Sequence, residues 1–170
     1  MKFKILILVI LIAIIAYGIA VRDHHDDVID VGSEAPAINL PSKQGLVSLE
    51  SYRGQKVVLV NFWATWCPTC LREIPSLETM KKTLEGKHFE VLAVSVDEEG
   101  WPAIDAFLKR VPMTVPILLD AQGSVSAQYG TYQLPESYLI DRSGKVIKKY
   151  IGAINWMDPE ILGGIQNAIQ

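Results

Sequence analysis

Metal-binding residues are scarce in this sequence. It contains two cysteines and three histidines among 170 residues, whereas zinc sites in proteins use four ligands, or three where one position stays open. Two of the histidines, His24 and His25, are neighbours beside aspartates in a polar segment, and we interpret them as solvated side chains. The acidic run at residues 97–99 brings no further ligands with it, so we interpret it as a solvated loop. The sequence therefore predicts no metal ion.

A large excess of one charge is also lacking. The net charge at pH 7 is −3, and the 16 Lys and Arg residues form no cluster. This excludes the basic surface on which nucleic-acid-binding proteins depend. No internal repeat or low-complexity tract is present, and 49 % hydrophobic with 21 % charged residues is typical of a globular protein. The length suits one domain of ordinary size.

Residues 5–21 carry no charged side chain, and a run of this length is at the short end of what crosses a bilayer. Lys2 and Lys4 precede the run and Arg22 is the only cation close behind it, which favours a cytoplasmic N-terminus and an exported body. A cleaved signal peptide is the alternative, because residues 16–20 include small residues suited to a peptidase. No cysteine lies near the run, which excludes a lipoprotein anchor. We predict a retained single-pass anchor (residues 1–21) in the cytoplasmic membrane, with the catalytic domain on the extracytoplasmic side.

The polar residues 22–33 lack apolar periodicity and are predicted to be a tether, so that residues 34–170 form the domain. The apolar runs at 57–62 and 89–96 are typical of strands buried on both faces. The segment between them has helical spacing, and a strand–helix–strand unit of this length forms a right-handed parallel crossover.

The remaining pattern completes a layered α/β domain. We predict a central mixed sheet with helices on both faces, an antiparallel hairpin at one edge, and an N-terminal β-hairpin extension. The further elements are extended segments at 37–40 and 46–49 joined by a turn at 41–45, a helix from Pro102 to about Arg110, a strand at 115–119, a hairpin of 138–140 with 146–151, and a last helix from Asp158-Pro159 with its apolar side inward.

Both cysteines fall in the stretch Trp-Ala-Thr-Trp-Cys-Pro-Thr-Cys, residues 63–70, directly after the first buried strand. A disulfide that closes so short a loop stabilises a fold little, so thiol–disulfide exchange is favoured over a structural bridge or a metal site. Cys67 opens the helix, where unpaired N–H groups and the helix macrodipole favour a thiolate. Cys70 lies one turn further, on the apolar stripe, and is predicted to be the more buried. An exposed Cys67 then attacks a substrate disulfide, and Cys70 resolves the mixed disulfide.

The segment VNFWATWCPTC, followed by REIPSL, resembles the thioredoxin superfamily. It is most similar to the membrane-anchored TlpA/ResA-like thiol–disulfide oxidoreductases, which include the CcmG/DsbE group. The resemblance covers nearly all of residues 34–170, with GSEAPAINL at its start and YGTYQLPESYLIDRSGKV near its end. It implies a thioredoxin-like fold, a redox-active disulfide Cys67-Cys70, and no separate cofactor.

The resemblance also implies roles for three further positions. The family's cis-proline matches Pro135, and a cis bond would leave the Leu134 backbone free to pair with an extended substrate; an ordinary trans proline is the alternative. Asn61 stands where cytosolic thioredoxins carry a buried acid, a departure shared by TlpA-like proteins. Glu73 matches a glutamate that influences the thiols of ResA-like proteins. It is either a partly buried proton acceptor for Cys70 or a surface residue of an amphipathic helix.

Two tryptophans bracket the cysteines. Trp63 and Trp66 each suit either the protein core or a flat rim for protein substrates, and Trp66, beside Cys67, is the better candidate for the rim. The predicted substrate-binding set is Trp66, Pro68, Leu134 and Pro135. Pro68 has no N–H to offer the Cys67 sulfur, and no His or Lys lies between the cysteines. The thiolate is therefore favoured only moderately, which predicts a reductant.

The expected function is an exported reductase of protein disulfides. Resemblance to the CcmG/DsbE group implies apocytochrome c as the substrate and a membrane thiol transporter of the DsbD/CcdA type as the electron donor. A general TlpA-like reductase is the alternative within the same family. A peroxiredoxin-like peroxidase is disfavoured, because its Thr and Pro signature positions before Cys67 hold Ala64 and Val60. The intact CxxC argues against a non-catalytic binding module, and insulin reduction would distinguish the two.

Overall fold

The computed structural model describes residues 29–170. The predicted anchor (residues 1–21) and most of the predicted tether lie outside this range. At the start of the described range, the N–H of Gly32 donates to the carbonyl of Val146 at 2.7 Å, and the N–H of Val146 donates to the carbonyl of Ser33 at 2.9 Å. Among residues 29–170, backbone hydrogen bonding to the rest of the domain therefore begins at residue 32, slightly before the predicted boundary at 34.

Within residues 29–170, no helix has both the length and the apolar character needed to cross a bilayer.

Strands and helices alternate along most of the described chain. In chain order they are β1 (Asn39–Ser42), β2 (Gly45–Ser48), β3 (Val57–Trp63), α1 (Pro68–Thr83), β4 (Phe89–Ser95), α2 (Trp101–Leu108), β5 (Ile117–Leu119), α3 (Ser124–Gln128), β6 (Glu136–Ile140), β7 (Val146–Ile151) and α4 (Pro159–Ile169).

The central sheet has the strand order β5-β4-β3-β6-β7. β3 pairs in parallel with β4 and antiparallel with β6, and all seven of its residues are buried. Successive side chains of β3 enter two cores on opposite faces of the sheet. Leu59 and Trp63 pack on the face covered by α1 and α4, while Val60 and Phe62 pack on the face that holds α3 and the N-terminal hairpin. The predicted mixed sheet with helices on both faces is confirmed.

The N-terminal hairpin forms a separate two-stranded sheet, and its turn is tighter than expected. Ser42 pairs with Gly45, so that only Lys43 and Gln44 connect the strands. The predicted five-residue turn at 41–45 is wrong, because Pro41 is accommodated within a short edge strand, where its missing N–H breaks no ladder of a larger sheet.

The short helix α3 has no counterpart among the predicted elements. Its five residues are too few to show apolar periodicity. The carboxylate of Asp120 accepts hydrogen bonds from the N–H groups of Val125 and Ser126 at 3.1 and 2.8 Å, and these contacts satisfy donors at the start of the helix.

Candidate active site

The junction between β3 and α1 places Cys67. β3 ends at Trp63, a short loop follows, and Cys67 is the N-cap residue of α1 with extended backbone angles (φ −91°, ψ 105°). Pro68 occupies the first helical position, where its fixed φ suits the helix and its missing N–H costs nothing. The Cys67 Sγ accepts the N–H of Cys70 at 3.2 Å. The sulfur therefore lies at the positive end of the helix macrodipole, which favours a thiolate there once the cysteine is reduced.

Cys67 and Cys70 form a disulfide, with their Cα atoms 5.3 Å apart. Cys70 is 0 % exposed and Cys67 is 3 % exposed. Cys70 is thus the more buried, as predicted, but the prediction of an exposed Cys67 is wrong for this oxidised state. Its sulfur is bonded to Cys70 and lies 3.1 Å from the hydroxyl of Thr69. Within residues 29–170, no group of three or more His, Cys, Asp or Glu side chains is arranged to hold a metal ion.

The segment before β6 lies against the cysteine pair. The Leu134-Pro135 peptide bond is cis, as predicted. Thr69, between the two cysteines, donates its hydroxyl proton to the carbonyl oxygen of Leu134 at 3.1 Å. Pro135 is buried and Leu134 is half-buried. The structure thus brings Leu134 and Pro135 to the CxxC motif. The part that Thr69 plays in this contact was not predicted from the sequence.

Glu73 is a buried member of the site, with 2 % of its surface exposed. Its Oε1 accepts from Asn61 Nδ2 at 2.7 Å, and its Oε2 accepts from the N–H of Ile154 at 3.0 Å. Asn61 Nδ2 also contacts Ser137 Oγ at 2.9 Å. The alternative of a surface glutamate is therefore wrong. Glu73 lies on the inward face of α1, one turn after Cys70, and the loop at Ile154 supplies a donor to its carboxylate.

Burial raises the pKa of Glu73 from its ordinary value of 4.5 to about 7, and the donors Ile154 and Asn61 offset part of that rise. The apolar surroundings disfavour the charged carboxylate. The hydrogen bonds favour it, since both partners donate to its oxygens. A carboxyl group with a pKa near neutrality both accepts and releases protons efficiently at physiological pH.

The two tryptophans have opposite environments. Trp63 is 1 % exposed and packs against Phe107 with ring centroids 5.3 Å apart, so it belongs to the core. Trp66 is 66 % exposed. Together with the exposed Pro68 and Leu71 it lines a surface groove, to which Arg110 and Val111 also contribute. Of the two, Trp66 is therefore the residue available to form an apolar rim beside Cys67.

Asp97 supports the loop that leads to Cys67. It is 2 % exposed and accepts hydrogen bonds from Thr65 N at 3.1 Å, Thr65 Oγ1 at 2.6 Å and Ser95 Oγ at 2.7 Å. The interpretation of residues 97–99 as a solvated loop is therefore wrong for Asp97, although Glu98 and Glu99 are exposed. The sequence did contain a signal for this contact. Parallel neighbouring strands such as β3 and β4 end at the same edge of the sheet, so the residues that follow them, here Thr65 and Asp97, lie close together.

A cysteine pair joined by a disulfide at the start of the helix after the central strand, beside a cis-proline, defines a thioredoxin-fold thiol–disulfide oxidoreductase. Over residues 30–164 the chain matches the Redoxin family. It is 36 % identical to thiol-disulfide oxidoreductase ResA of Geobacillus thermodenitrificans, across 91 % of this chain and 89 % of the relative. ResA of Bacillus thuringiensis is 32 % identical, across 88 % and 87 %.

A solved structure has the same fold. The crystal structure of a Chlorobium tepidum protein, provisionally described as thiol:disulfide interchange protein DsbE, superposes with a TM-score of 0.77 at 33 % identity. The match covers 84 % of this chain and 99 % of that one. The chain belongs to the Redoxin family and, within it, to the ResA-like thiol–disulfide oxidoreductases.

Proposed function

We propose that the protein is an exported, membrane-anchored reductase of protein disulfides, in which Cys67 attacks, Cys70 resolves and Glu73 accepts a proton. The observation that carries the proposal is the difference between the two sulfurs. Cys67 caps the helix and receives the Cys70 N–H, whereas Cys70 is fully buried, one turn before a carboxyl group whose pKa is about 7.

The first step is attack on the substrate. The Cys67 thiolate forms a bond to one sulfur of the substrate disulfide, and the substrate S–S bond breaks. The other substrate sulfur leaves as a thiolate and takes a proton from solvent. Exchange proceeds through the thiolate, so stabilisation of the anion at the N-terminus of α1 sets how much reactive Cys67 is present.

The second step releases the product. Cys70 transfers its thiol proton to the Glu73 carboxylate and attacks Cys67 Sγ. The Cys67–Cys70 bond forms, the mixed disulfide breaks, and the substrate leaves with its second sulfur reduced. The substrate has then gained two electrons, and the protein holds the disulfide seen in the structure. A buried base is needed because Cys70, at 0 % exposure, has no contact with solvent.

Substrate binding is assigned to the surface around Cys67. Trp66 and Pro68 offer exposed apolar area next to the sulfur, and aromatic side chains of this kind dominate protein–protein contacts. The Leu134 backbone, directly before Pro135, lies close to the cysteine pair. We assign it to main-chain pairing with an extended segment of the substrate.

The cellular role is proposed from the sequence. The uncharged run at residues 5–21 behind Lys2 and Lys4 supports export with a retained anchor. A reductant in an oxidising compartment needs electrons delivered across the membrane, and we propose a thiol transporter of the DsbD/CcdA type as the donor. The CPTC sequence and the Pro-Glu pair at 135–136 resemble the CcmG/DsbE group, which supports apocytochrome c as the substrate. The ResA relatives support equally a general reductase of exported proteins.

Trapping of mixed disulfides tests the chemistry and the substrate together. A full-length Cys70→Ala variant is expected to accumulate mixed disulfides through Cys67, with apocytochrome c among the trapped proteins. The Cys67→Ala/Cys70→Ala double variant is the matched control and should trap nothing. Trapping of other exported proteins without apocytochrome c would favour the general reductase. If Cys67→Ala traps substrates through Cys70 instead, the two roles are reversed.

A reporter fused to the C-terminus tests export. We expect activity from a reporter that works only outside the cytoplasm. A fusion that is active only in the cytoplasm would contradict the proposal. A mature N-terminus at residue 19 or 21 would refute the retained anchor and leave export intact.

A further inference from the structure

Thr69 lies between the reactive sulfur and the segment that precedes Pro135. Its Oγ1 is 3.1 Å from Cys67 Sγ and 3.1 Å from the carbonyl oxygen of Leu134. A threonine hydroxyl has a single proton to donate. Thr69 therefore cannot donate fully to both acceptors, and the stronger of the two receives the hydrogen bond.

In the disulfide state the stronger acceptor is Leu134. Cys67 Sγ is bonded to Cys70, so it has neither a negative charge nor a proton, and neutral sulfur accepts hydrogen bonds weakly. The Thr69 proton is directed to the Leu134 carbonyl, which thereby uses one of its two lone pairs.

Reduction reverses this preference. Two electrons and one proton from a dithiol reductant convert the disulfide into a Cys67 thiolate and a Cys70 thiol, and the second proton of the reductant goes to solvent. Hydrogen bonds to an ionised acceptor are roughly twice as strong as those between neutral groups. Since Thr69 Oγ1 is already within reach of both acceptors, rotation of the hydroxyl proton alone transfers the hydrogen bond to the thiolate.

We propose that Thr69 is a positioning residue that couples the redox state of Cys67 to the substrate groove. It occupies the Leu134 carbonyl in the oxidised protein and frees it in the reduced protein. A carbonyl oxygen that already accepts the Thr69 proton is a weaker acceptor for a second donor. The Leu134 carbonyl therefore pairs more tightly with a backbone N–H of an extended substrate when Cys67 is able to attack, and the oxidised protein releases its product more readily. This inference rests on the proposed function, in which the Leu134 backbone pairs with substrate.

The carbonyl ¹³C resonance of Leu134 in the full-length chain tests the coupling. It is identified through its one-bond coupling to the ¹⁵N of Pro135. Leu40-Pro41 is the other Leu-Pro pair of the sequence and serves as an internal reference. Thr69→Val keeps the shape of the side chain without the hydroxyl, and Thr69→Ser keeps the hydroxyl.

On reduction with dithiothreitol, we expect the Leu134 resonance to move in the wild type and in Thr69→Ser, and to move much less in Thr69→Val. The Leu40 resonance should stay constant in all three. A second readout is the thiolate of the reduced protein. Thr69→Val should lower the alkylation rate of Cys67 about tenfold at a pH below its pKa, because a hydrogen bond to the anion is lost, while Thr69→Ser should not.

Equal displacement of the Leu134 resonance in all three proteins would overturn the inference, as would an unchanged alkylation rate in Thr69→Val. Insulin reduction by the wild type is measured in parallel. If the wild type reduces insulin but its Leu134 carbonyl resonance does not move on reduction, the coupling is refuted and the proposed function stands. Absence of insulin reduction and of mixed-disulfide trapping refutes the proposed function, and with it the role of Leu134.

Discussion

Glu73 connects the acid–base chemistry of the site with the stability of the fold. Its pKa in the folded protein, about 7, exceeds its ordinary value of 4.5, so the folded state binds the proton more tightly than the unfolded chain does. This contribution to stability is fully present below pH 4.5 and is lost as the pH rises through about 7.

We therefore expect the free energy of unfolding of the oxidised wild type to fall, relative to Glu73→Gln, by up to about 3 kcal/mol between pH 4.5 and pH 8. Urea denaturation of both proteins across this range measures the difference. Glu85→Gln, which changes an exposed glutamate just after α1, is the control and should parallel the wild type. Parallel curves for wild type and Glu73→Gln would show that Glu73 ionises normally in the fold.

Asp97 is expected to affect activity without contacting substrate. Asp97→Ala leaves the N–H and hydroxyl of Thr65 and the hydroxyl of Ser95 without their carboxylate acceptor. Loss of hydrogen bonds to a buried charge predicts a destabilisation of about 2–3 kcal/mol and slower insulin reduction, because the loop carrying Trp66 is no longer held. The exposed neighbour provides the control: Glu98→Ala should change neither quantity. An unfolding midpoint of Asp97→Ala equal to that of the wild type would contradict this role.

Single residues of the site differed in how far they could be predicted from sequence. Cys67, Cys70 and Pro135 are carried by local motifs, and the structure brings them together. The burial of Glu73 was left undecided, because its partner Ile154 follows 81 positions later. Asp97 was placed wrongly, since an acidic run is normally solvated and its partner Thr65 lies 32 positions earlier in the chain. A threonine at the second position of a helix is common, so nothing in the pattern marked Thr69.

At the scale of elements, the N-terminus of α1 predicts which cysteine reacts first. Cys67 caps the helix, whereas Cys70 lies within it and is fully buried. In the reduced protein at neutral pH, we expect iodoacetamide to label Cys67 faster than Cys70, and peptide mass spectrometry to show the order. The denatured protein is the control, and there the two rates should converge. Faster labelling of Cys70 in the folded protein would reverse the assigned roles.

Elements with long apolar patterns were predicted well, and short ones were not. β3 and β4 lie close to their predicted bounds, and α1 begins directly after Cys67 as predicted, because runs buried on both faces and a clear helical stripe are strong signals. The strand β5 is shorter than predicted and begins at Ile117. The turn of the N-terminal hairpin and the helix α3 were misplaced or missed. Their geometry depends on single contacts, such as those of Asp120, which periodicity does not report.

For the molecule as a whole, the reduction potential decides the direction of electron flow. Pro68 offers no N–H to Cys67, no cation lies between the cysteines, and Thr69 adds only a neutral hydroxyl. We expect a potential nearer to that of thioredoxin, about −270 mV, than to that of DsbA, about −120 mV. Equilibration of the full-length chain with glutathione or dithiothreitol measures it. A value close to that of DsbA would make the protein an oxidant of thiols.

The class of fold and the mixed character of the main sheet follow from the order of patterns along the chain, and both were predicted. The strand order and the pairing of β3 with β6 were not predicted. Whether the chain is anchored and exported remains a prediction, since residues 1–28 lie outside the described residues.

The antiparallel pairing of β3 with β6 joins residues such as Asn61 and Ser137, far apart in the chain, and it has a consequence for synthesis. A ribosome releases the cysteines well before the segment at Leu134 and Pro135. Non-local strand pairing of this kind is slow to form, so a nascent chain holds its thiols before it has a groove to choose substrates. Because the chain has only two cysteines, no incorrect disulfide can form within it during that interval. Oxidative misfolding of this protein therefore requires a second chain.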